Sequence, residues 1–569
     1  MTGGEVVCDV LERMGVGHVF GLPGSQNKLL FDALRKSAIT TVVPSHELGA
    51  AFMAIGCARG SGSVGVVVTI PGPGFAYTLA ALAEAYLDST PLLLLAGQQD
   101  PEAGRRFRIQ EIDQATMAGP VVKRVISAES LAALPEAMIE GHASALEGEP
   151  GPVMVHLRSN VLEQRVKRAL PEPAIRTPHR PGPPSESVRT VADLVRASRR
   201  ILVLAGQGAV PGSDRLARLV DRLSTAIVTT TSARGVVPED HPRVVVADNR
   251  GVEELNLLIE SCDLVLALGI KFSQSGSWGY QLRVAEDKLV HVDASEDVLA
   301  ANYPARLLVR SDVPEFLDSL LEALGGESTQ PRGFSLAELD DWRHRVESDA
   351  GSPREEPRID GVEPPTAKRM FEEVQEALPR DAVLVTDSGL HQMLARRHFR
   401  VLAPRGLIVP TDFQSMGFGL PAAIGSRLAE PRRPVLALLG DGAFQMSGME
   451  LLTAVRQRLP IPVVVLRDGG YGLIRLQQLR YSGRTHGVDL QPLDLESFAA
   501  AVGAGFARVD GNLSETIRTA LAASGPTLIE VGAADSPAIR RVAASGRLRA
   551  AGRRTLGPLW PAWLRRRRG

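Results

Sequence analysis

Short apolar runs, most of them closed by glycine, aspartate or serine, recur along the whole chain and alternate with stretches of helical periodicity. Nearest the N-terminus are HVFGLPG from His18, TTVVPS from Thr40, VGVVVTI from Val64 and PLLLLAG from Pro91. RILVLAGQG from Arg200, AIVTTT from Ala226, DLVLALG from Asp263 and LVHVDAS from Leu289 follow. AVLVTDSG from Ala382, PVLALLGDG from Pro434, IPVVVLRDG from Ile461 and TLIEVG from Thr527 complete the series. Strands apolar on both faces belong to parallel sheets covered by helices on each side. Helical spacing shows, for example, at Val7, Val10, Leu11 and Met14. The pattern predicts an α/β chain of doubly wound parallel sheets, which bind ligands at the carboxyl ends of their strands.

At 569 residues the chain exceeds a single core. Two Pro- and charge-rich stretches, near Ala169–Ser187 and Gly325–Pro365, have the composition of linkers. They predict three domains, 1–168, 188–325 and 366–540, and an arginine-rich tail, 541–569, read as a solvated end. The 64 basic and 65 acidic side chains nearly cancel, so no global charge draws the chain to nucleic acid. No apolar run approaches the length of a membrane span. Cys8, Cys57 and Cys262 offer neither a disulfide framework nor a zinc site, and fit a reducing compartment. A cytoplasmic protein with no nucleic-acid or membrane partner is expected.

The segment Pro434 to Gly472 carries the most specific chemistry. A buried strand ends at Gly440-Asp441-Gly442, and a helical pattern follows through Met449, Leu452 and Val455. Paired glycines let a ligand approach the backbone, and a helix start offers free N–H groups to an anion. Asp468 closes the next strand, so two strand ends aim carboxylates at one crevice. Such carboxylates, a carbonyl and the oxygens of a diphosphate suit octahedral Mg²⁺.

This strand–GDG–helix–strand–Asp unit resembles the cofactor motif of thiamine-diphosphate enzymes. Most of that family has Asn-Asn where this chain has Arg467-Asp468, and catabolic acetolactate synthases resemble this chain in having Asp. The resemblance implies Mg²⁺ held by Asp441, Asp468 and the Gly470 carbonyl. The extra negative charge then needs offsetting by helix N-termini or nearby arginines. FGLPGSQN (Phe20–Asn27), the HE-x-x-AA segment from His46 and T-x-PGPG (Thr69–Gly74) resemble the pyrimidine-binding domain of acetolactate synthases and pyruvate decarboxylases. Glu47 thereby falls at the carboxylate that hydrogen-bonds the pyrimidine and helps make the thiazolium C2 a carbon nucleophile. Arg106–Lys123 resembles the synthase FQE-x-D…PVVK segment and sets Gln110 near the reacting carbon. The His-His pair of pyruvate decarboxylases does not occur in this region, which favours carboligation over aldehyde release.

Further cofactor contacts are implied at Pro23, Gly24, Gly72 and Pro73. TDSGLHQM (Thr386–Met393) and SMGFGLPAAIG (Ser415–Gly425) also resemble family motifs. They imply Gly389, Leu390, His391 and Gln414 as contacts, with Met416 as the wedge that bends the cofactor. Gly440, Gly442, Ala443, Tyr471, Gly472 and Leu473 complete the set. Gln477 lines the expected substrate pocket, where acetohydroxyacid synthases place a tryptophan that favours 2-oxobutyrate, so a more polar pocket is expected. The central domain resembles one that holds FAD, another nucleotide or nothing. Lys271 falls at an Arg of FAD-containing synthases, which leaves FAD open as a further cofactor.

The expected activity is decarboxylation of a 2-oxo acid, pyruvate first, with joining to a second carbonyl compound. A non-carboligating decarboxylase, a flavin-linked oxidase and a cofactor-binding homologue without turnover are the alternatives. The resemblance also implies a homodimer or homotetramer, with Glu47 of one subunit facing the Asp441/Asp468 site of the other.

Overall fold

The computed structural model describes residues 1–99, 105, 107–165, 173–247, 251–325, 333–348, 367–509 and 511–532. The arginine-rich segment beyond residue 540 lies outside the described residues, as does much of the second Pro-rich stretch.

Three all-parallel sheets follow one another along the chain. The first contains β1 (His18–Gly21), β2 (Thr40–Val42), β3 (Gly65–Thr69), β4 (Leu92–Gln98), β5 (Arg124–Ser127) and β6 (Pro152–Arg158), in the order β2-β1-β3-β4-β6-β5. The second contains β7 (Ile201–Ala205), β8 (Ala226–Thr229), β9 (Leu264–Leu268), β10 (Leu289–Asp293) and β11 (Leu307–Arg310), in the order β11-β10-β9-β7-β8. The third contains β12 (Val383–Thr386), β13 (Leu407–Ile408), β14 (Val435–Gly440), β15 (Pro462–Arg467), β16 (Gly505–Arg508) and β17 (Thr527–Gly532), in the order β13-β12-β14-β15-β17-β16.

Side chains of a strand alternate between faces, and here both faces are buried. Val66 and Val68 enter one core while Val67 enters another. Leu202 and Leu204 likewise separate from Ile201 and Val203. The expected doubly wound α/β architecture is therefore present three times.

One core is shared between the first and third sheets. Helix Glu47–Ser61 is buried nearly all round from Gly49 to Ala58, as a helix enclosed between layers must be. It crosses helix Gly419–Ala429 so closely that a Cβ on Gly56 would lie 2.0 Å from the Ala422 carbonyl. Asp88, at the end of helix Pro73–Leu87, adds a polar tie. Its buried carboxylate accepts from Thr411 N (2.9 Å), Thr411 Oγ1 (2.5 Å) and Asp412 N (2.9 Å), and pairs with Arg59 at 3.3 Å. Removing one partner of a buried ion pair costs roughly 3–5 kcal/mol, because the other charge stays buried. Asp88→Ala is expected to lower stability by about that amount. A urea-unfolding midpoint equal to that of the wild type would contradict this role.

The central domain is fastened to the third by Arg234. Its guanidinium pairs with Glu239 and donates to the carbonyls of Arg396 (2.9 Å) and Phe399 (2.5 Å).

Two local expectations are corrected. The stretch read as a second linker contains helix Leu336–Ser348, whose Leu339 and Val346 are buried with Phe334 in the central core. Apolar residues at helical spacing outweigh the charged composition around them. The helix after the GDG turn begins at Asp441 itself, as Asp441–Ser447, and passes through a 3₁₀ turn at Gly448–Glu450 into Leu451–Arg456.

Candidate active site

In an open α/β sheet the ligand crevice lies where successive connections run in opposite directions from neighbouring strands. Those neighbours are β1 and β3 in the first sheet, β7 and β9 in the second, and β12 and β14 in the third. Residues singled out from the sequence stand at the carboxyl ends of all three pairs.

In the third domain Asp441 follows β14 and Asp468 follows β15. Asp441 accepts from the N–H of Gly469 (2.8 Å) and Gly442 (3.1 Å), and Asp468 accepts from Gly470 N–H (3.1 Å). Burial holds both carboxyls above the usual range. Asp468 is pushed up to about 6, by burial first and then by the Asp441 charge, while Arg475 opposes the shift. Two carboxylates held together against their own repulsion are a donor set suited to a dication. The Gly470 carbonyl accepts from Gly472 N (3.1 Å), which leaves one lone pair for the third ligand position. A Cβ at Gly472 would lie 1.8 Å from Asp468 Oδ2, so only glycine lets the next helix start beside that carboxylate. Among the described residues there is no cluster of three or more His, Cys, Asp or Glu side chains that could hold a metal. The expected Mg²⁺ needs only these two side chains and a carbonyl, with diphosphate oxygens and water completing its shell.

Beside this pair lies a crevice suited to a diphosphate. The His391 ring packs against Gly389 and Gly440, is buried, and has an Nε2 without a hydrogen-bond partner. Burial pushes its imidazole down to about 4, so at neutral pH it carries no charge. A buried ring nitrogen without a partner is costly unless a ligand meets it. The Tyr471 ring lies over Gly442, Ala443 is buried beneath, and Leu390 and Leu473 are half-buried around the crevice.

Asp387 organises the loop that carries Met416, a role the sequence did not suggest. Fully buried, it accepts from Ser388 N (2.8 Å), Gly417 N (3.1 Å) and Gly419 N (2.6 Å), and burial pushes its carboxyl up to about 7. Gln414, held at φ +64°, donates to Pro410 O (3.0 Å).

In the first domain Gly24 follows β1 and donates to Asn27 Oδ1 (2.7 Å), and Pro23 beside it is exposed. Gly72, at φ +67°, follows β3 and packs on Gln110, while Pro73 opens the next helix. Gln110 itself takes φ +61°, an unusual conformation for a residue with a side chain. Gln26, which the sequence reading passed over, donates to Gln110 Oε1 at 2.7 Å. The first turn of helix Glu47–Ser61 brings the Glu47 carboxylate against Gly74.

The residues beside Glu47 dock on Glu450, whose carboxylate accepts from Ser45 N at 3.2 and 3.1 Å. Glu450 lies nine residues beyond Asp441, past the break between helix Asp441–Ser447 and the 3₁₀ turn Gly448–Glu450. Gln477 is exposed on helix Gly472–Ser482.

In the central domain, a cavity at the β7/β9 crevice is lined by Gly206, Gly269 and Asp293. Lys271, at the position where the resemblance left a flavin open, lines the same cavity, pairs with Glu149 at 2.5 Å and donates to Leu87 O at 3.3 Å. Among the described residues no helix is long and apolar enough to cross a membrane.

Comparison with known proteins agrees with this geometry. Three domain families match in order: "Thiamine pyrophosphate enzyme, N-terminal TPP binding domain" over residues 1–117, the central domain over 188–320, and the C-terminal TPP binding domain over 387–531. A "Probable acetolactate synthase large subunit" of Methanocaldococcus jannaschii is 28% identical over 568 residues, covering 96% of this chain and 94% of that one. A "Probable 2-ketoarginine decarboxylase" of Pseudomonas aeruginosa is 31% identical over 547 residues, covering 93% and 94%. The acetolactate synthase isozyme 1 large subunit of Escherichia coli is 28% identical over 540 residues, covering 93% of each.

Proposed function

This chain belongs to the thiamine pyrophosphate enzyme family, and we propose that it decarboxylates a 2-oxo acid, pyruvate first, and joins the remaining carbons to a second carbonyl compound. The observation that carries this reading is the meeting of the Asp441 and Asp468 carboxylates beside the neutral His391, whose Nε2 has no hydrogen-bond partner. Bound thiamine diphosphate supplies a carbon nucleophile and an electron sink for the loss of CO₂. The chain's own residues hold and orient it. Asp441, Asp468 and the Gly470 carbonyl take Mg²⁺, and His391 and the Gly440–Ala443 turn take the diphosphate. Met416, fixed through Asp387, shapes the space between the two ends of the cofactor. Glu47 gives and receives the proton at the pyrimidine end, and Gln110, braced by Gln26, offers an amide to the reacting carbonyl compound.

Because the residues beside Glu47 dock on Glu450 of the same chain, past the end of the Asp441 helix, the complete site is read as formed between two copies. Large apolar side chains near both halves, among them Phe107 at 93% and Met446 at 56% exposure, favour a covering surface.

A second reading, release of an aldehyde without carboligation, is favoured by the similarity to a protein described as a 2-ketoarginine decarboxylase. Product analysis after incubation with thiamine diphosphate, Mg²⁺ and a panel of 2-oxo acids separates the two. An acyloin such as acetolactate is expected; aldehyde alone would replace the first reading with the second, and untouched acids would remove both.

A further inference from the structure

Arg475 lies one turn into helix Gly472–Ser482, and its side chain is only 13% exposed. It does not point away from the metal loop but folds back over it. Nη1 donates to the Asp468 carbonyl (2.8 Å), and Nη2 to the Gly469 carbonyl (3.1 Å) and to Asp489 Oδ1 (3.1 Å). The segment 488–491 braces the same loop from the other side. Tyr471 N donates to Val488 O (2.8 Å), Leu490 N to Gly469 O (3.0 Å), and Gln445, on the Asp441 helix, to Gln491 O (2.9 Å). The loop 468–471 is therefore gripped on two sides, and one guanidinium joins the grips. A planar fork with five donors in fixed directions holds several acceptors in one set geometry, which a lysine ammonium on a flexible stem does not impose.

We propose that Arg475 is a positioning residue for the metal site, fixing the loop that presents Asp468 and the Gly470 carbonyl and offsetting the second carboxylate of that site. The proposal rests on the metal-site reading above. Nothing in the motif announced it, since Arg475 lies beyond the last residue of the GDG-to-aspartate unit and reaches the loop only by folding back.

The test is equilibrium dialysis of thiamine diphosphate at stepped Mg²⁺ concentrations, which needs no substrate or turnover. Outer-shell partners of metal ligands are typically worth about 10–100-fold in metal affinity. Arg475→Ala is expected to raise the Mg²⁺ concentration for half-maximal cofactor retention by about that factor, with the melting temperature of the metal-free protein unchanged. Arg475→Lys keeps the charge and loses the fork, so it should fall between, and it carries the test if the alanine variant does not fold. Adding Asp468→Asn to Arg475→Ala should recover part of the loss, because the charge that needed offsetting is gone. A half-saturation point within twofold of wild type in the folded Arg475 variant would overturn the proposal. Failure of the wild-type protein to retain cofactor at any Mg²⁺ concentration would instead overturn the metal-site reading beneath it.

Discussion

Glu47→Gln is expected to lower turnover by about 10²- to 10⁴-fold, the usual worth of a positioned acid–base group. Glutamine matches glutamate in shape, so helix Glu47–Ser61 keeps its first turn and the contact with Gly74 survives. What is lost is the capacity to give and receive a proton at the pyrimidine end of the cofactor. Cofactor retention should stay close to wild type, since the charged groups proposed to grip it lie in the third domain. Steady-state rates with the preferred 2-oxo acid, beside dialysis of thiamine diphosphate, check both halves of this expectation. Equal turnover in the variant would remove Glu47 from the chemistry.

The second large effect is expected at Asp441. This carboxylate takes the N–H groups of Gly442 and Gly469, and so ties the end of β14 to the loop after β15; in the proposed site it is also a metal ligand. Asp441→Ala takes away both functions. A loss of at least 100-fold in Mg²⁺-dependent cofactor retention is expected, beyond the roughly 10–100-fold typical of an outer-shell change. Asp468→Asn is a milder change, because the amide still offers an oxygen and the neighbouring repulsion disappears. Retention of cofactor by the Asp441 variant at wild-type Mg²⁺ concentrations would show that the metal binds elsewhere.

The strands that the sequence revealed and those it hid differ in their surroundings. β3, β7, β9, β14 and β15 are buried on both faces, so their apolar runs are unbroken. β5, β11, β13 and β16 are edge strands. β5 and β16 bury none of their residues fully, β11 buries one, and β13 has only two residues, so their apolar runs are three residues at most and do not stand out. β6 is interior but interrupts its run with His156, a buried polar side chain.

The candidate site divides in the same way. Asp441, Asp468 and Gly470 belong to one strand–turn–helix–strand unit, where chain spacing and spatial neighbourhood agree. Asp387, Gln26 and Arg475 act through contacts made only when loops fold back, so no spacing predicts them. The docking of the residues beside Glu47 on Glu450 is likewise a property of how the first and third domains pack, and no motif carries it.

The most direct test of the account is the rate at which the C2 proton of bound thiamine diphosphate exchanges with deuterium, measured by acid quench and proton NMR without any substrate. This asks whether the chain activates the cofactor, whatever acid it later consumes. The account predicts exchange at least about 100-fold faster on the Mg²⁺-loaded protein than in free solution, and loss of that acceleration in Glu47→Gln. Exchange no faster than that of the free cofactor, with the cofactor demonstrably bound, would contradict it and leave a binding protein without turnover.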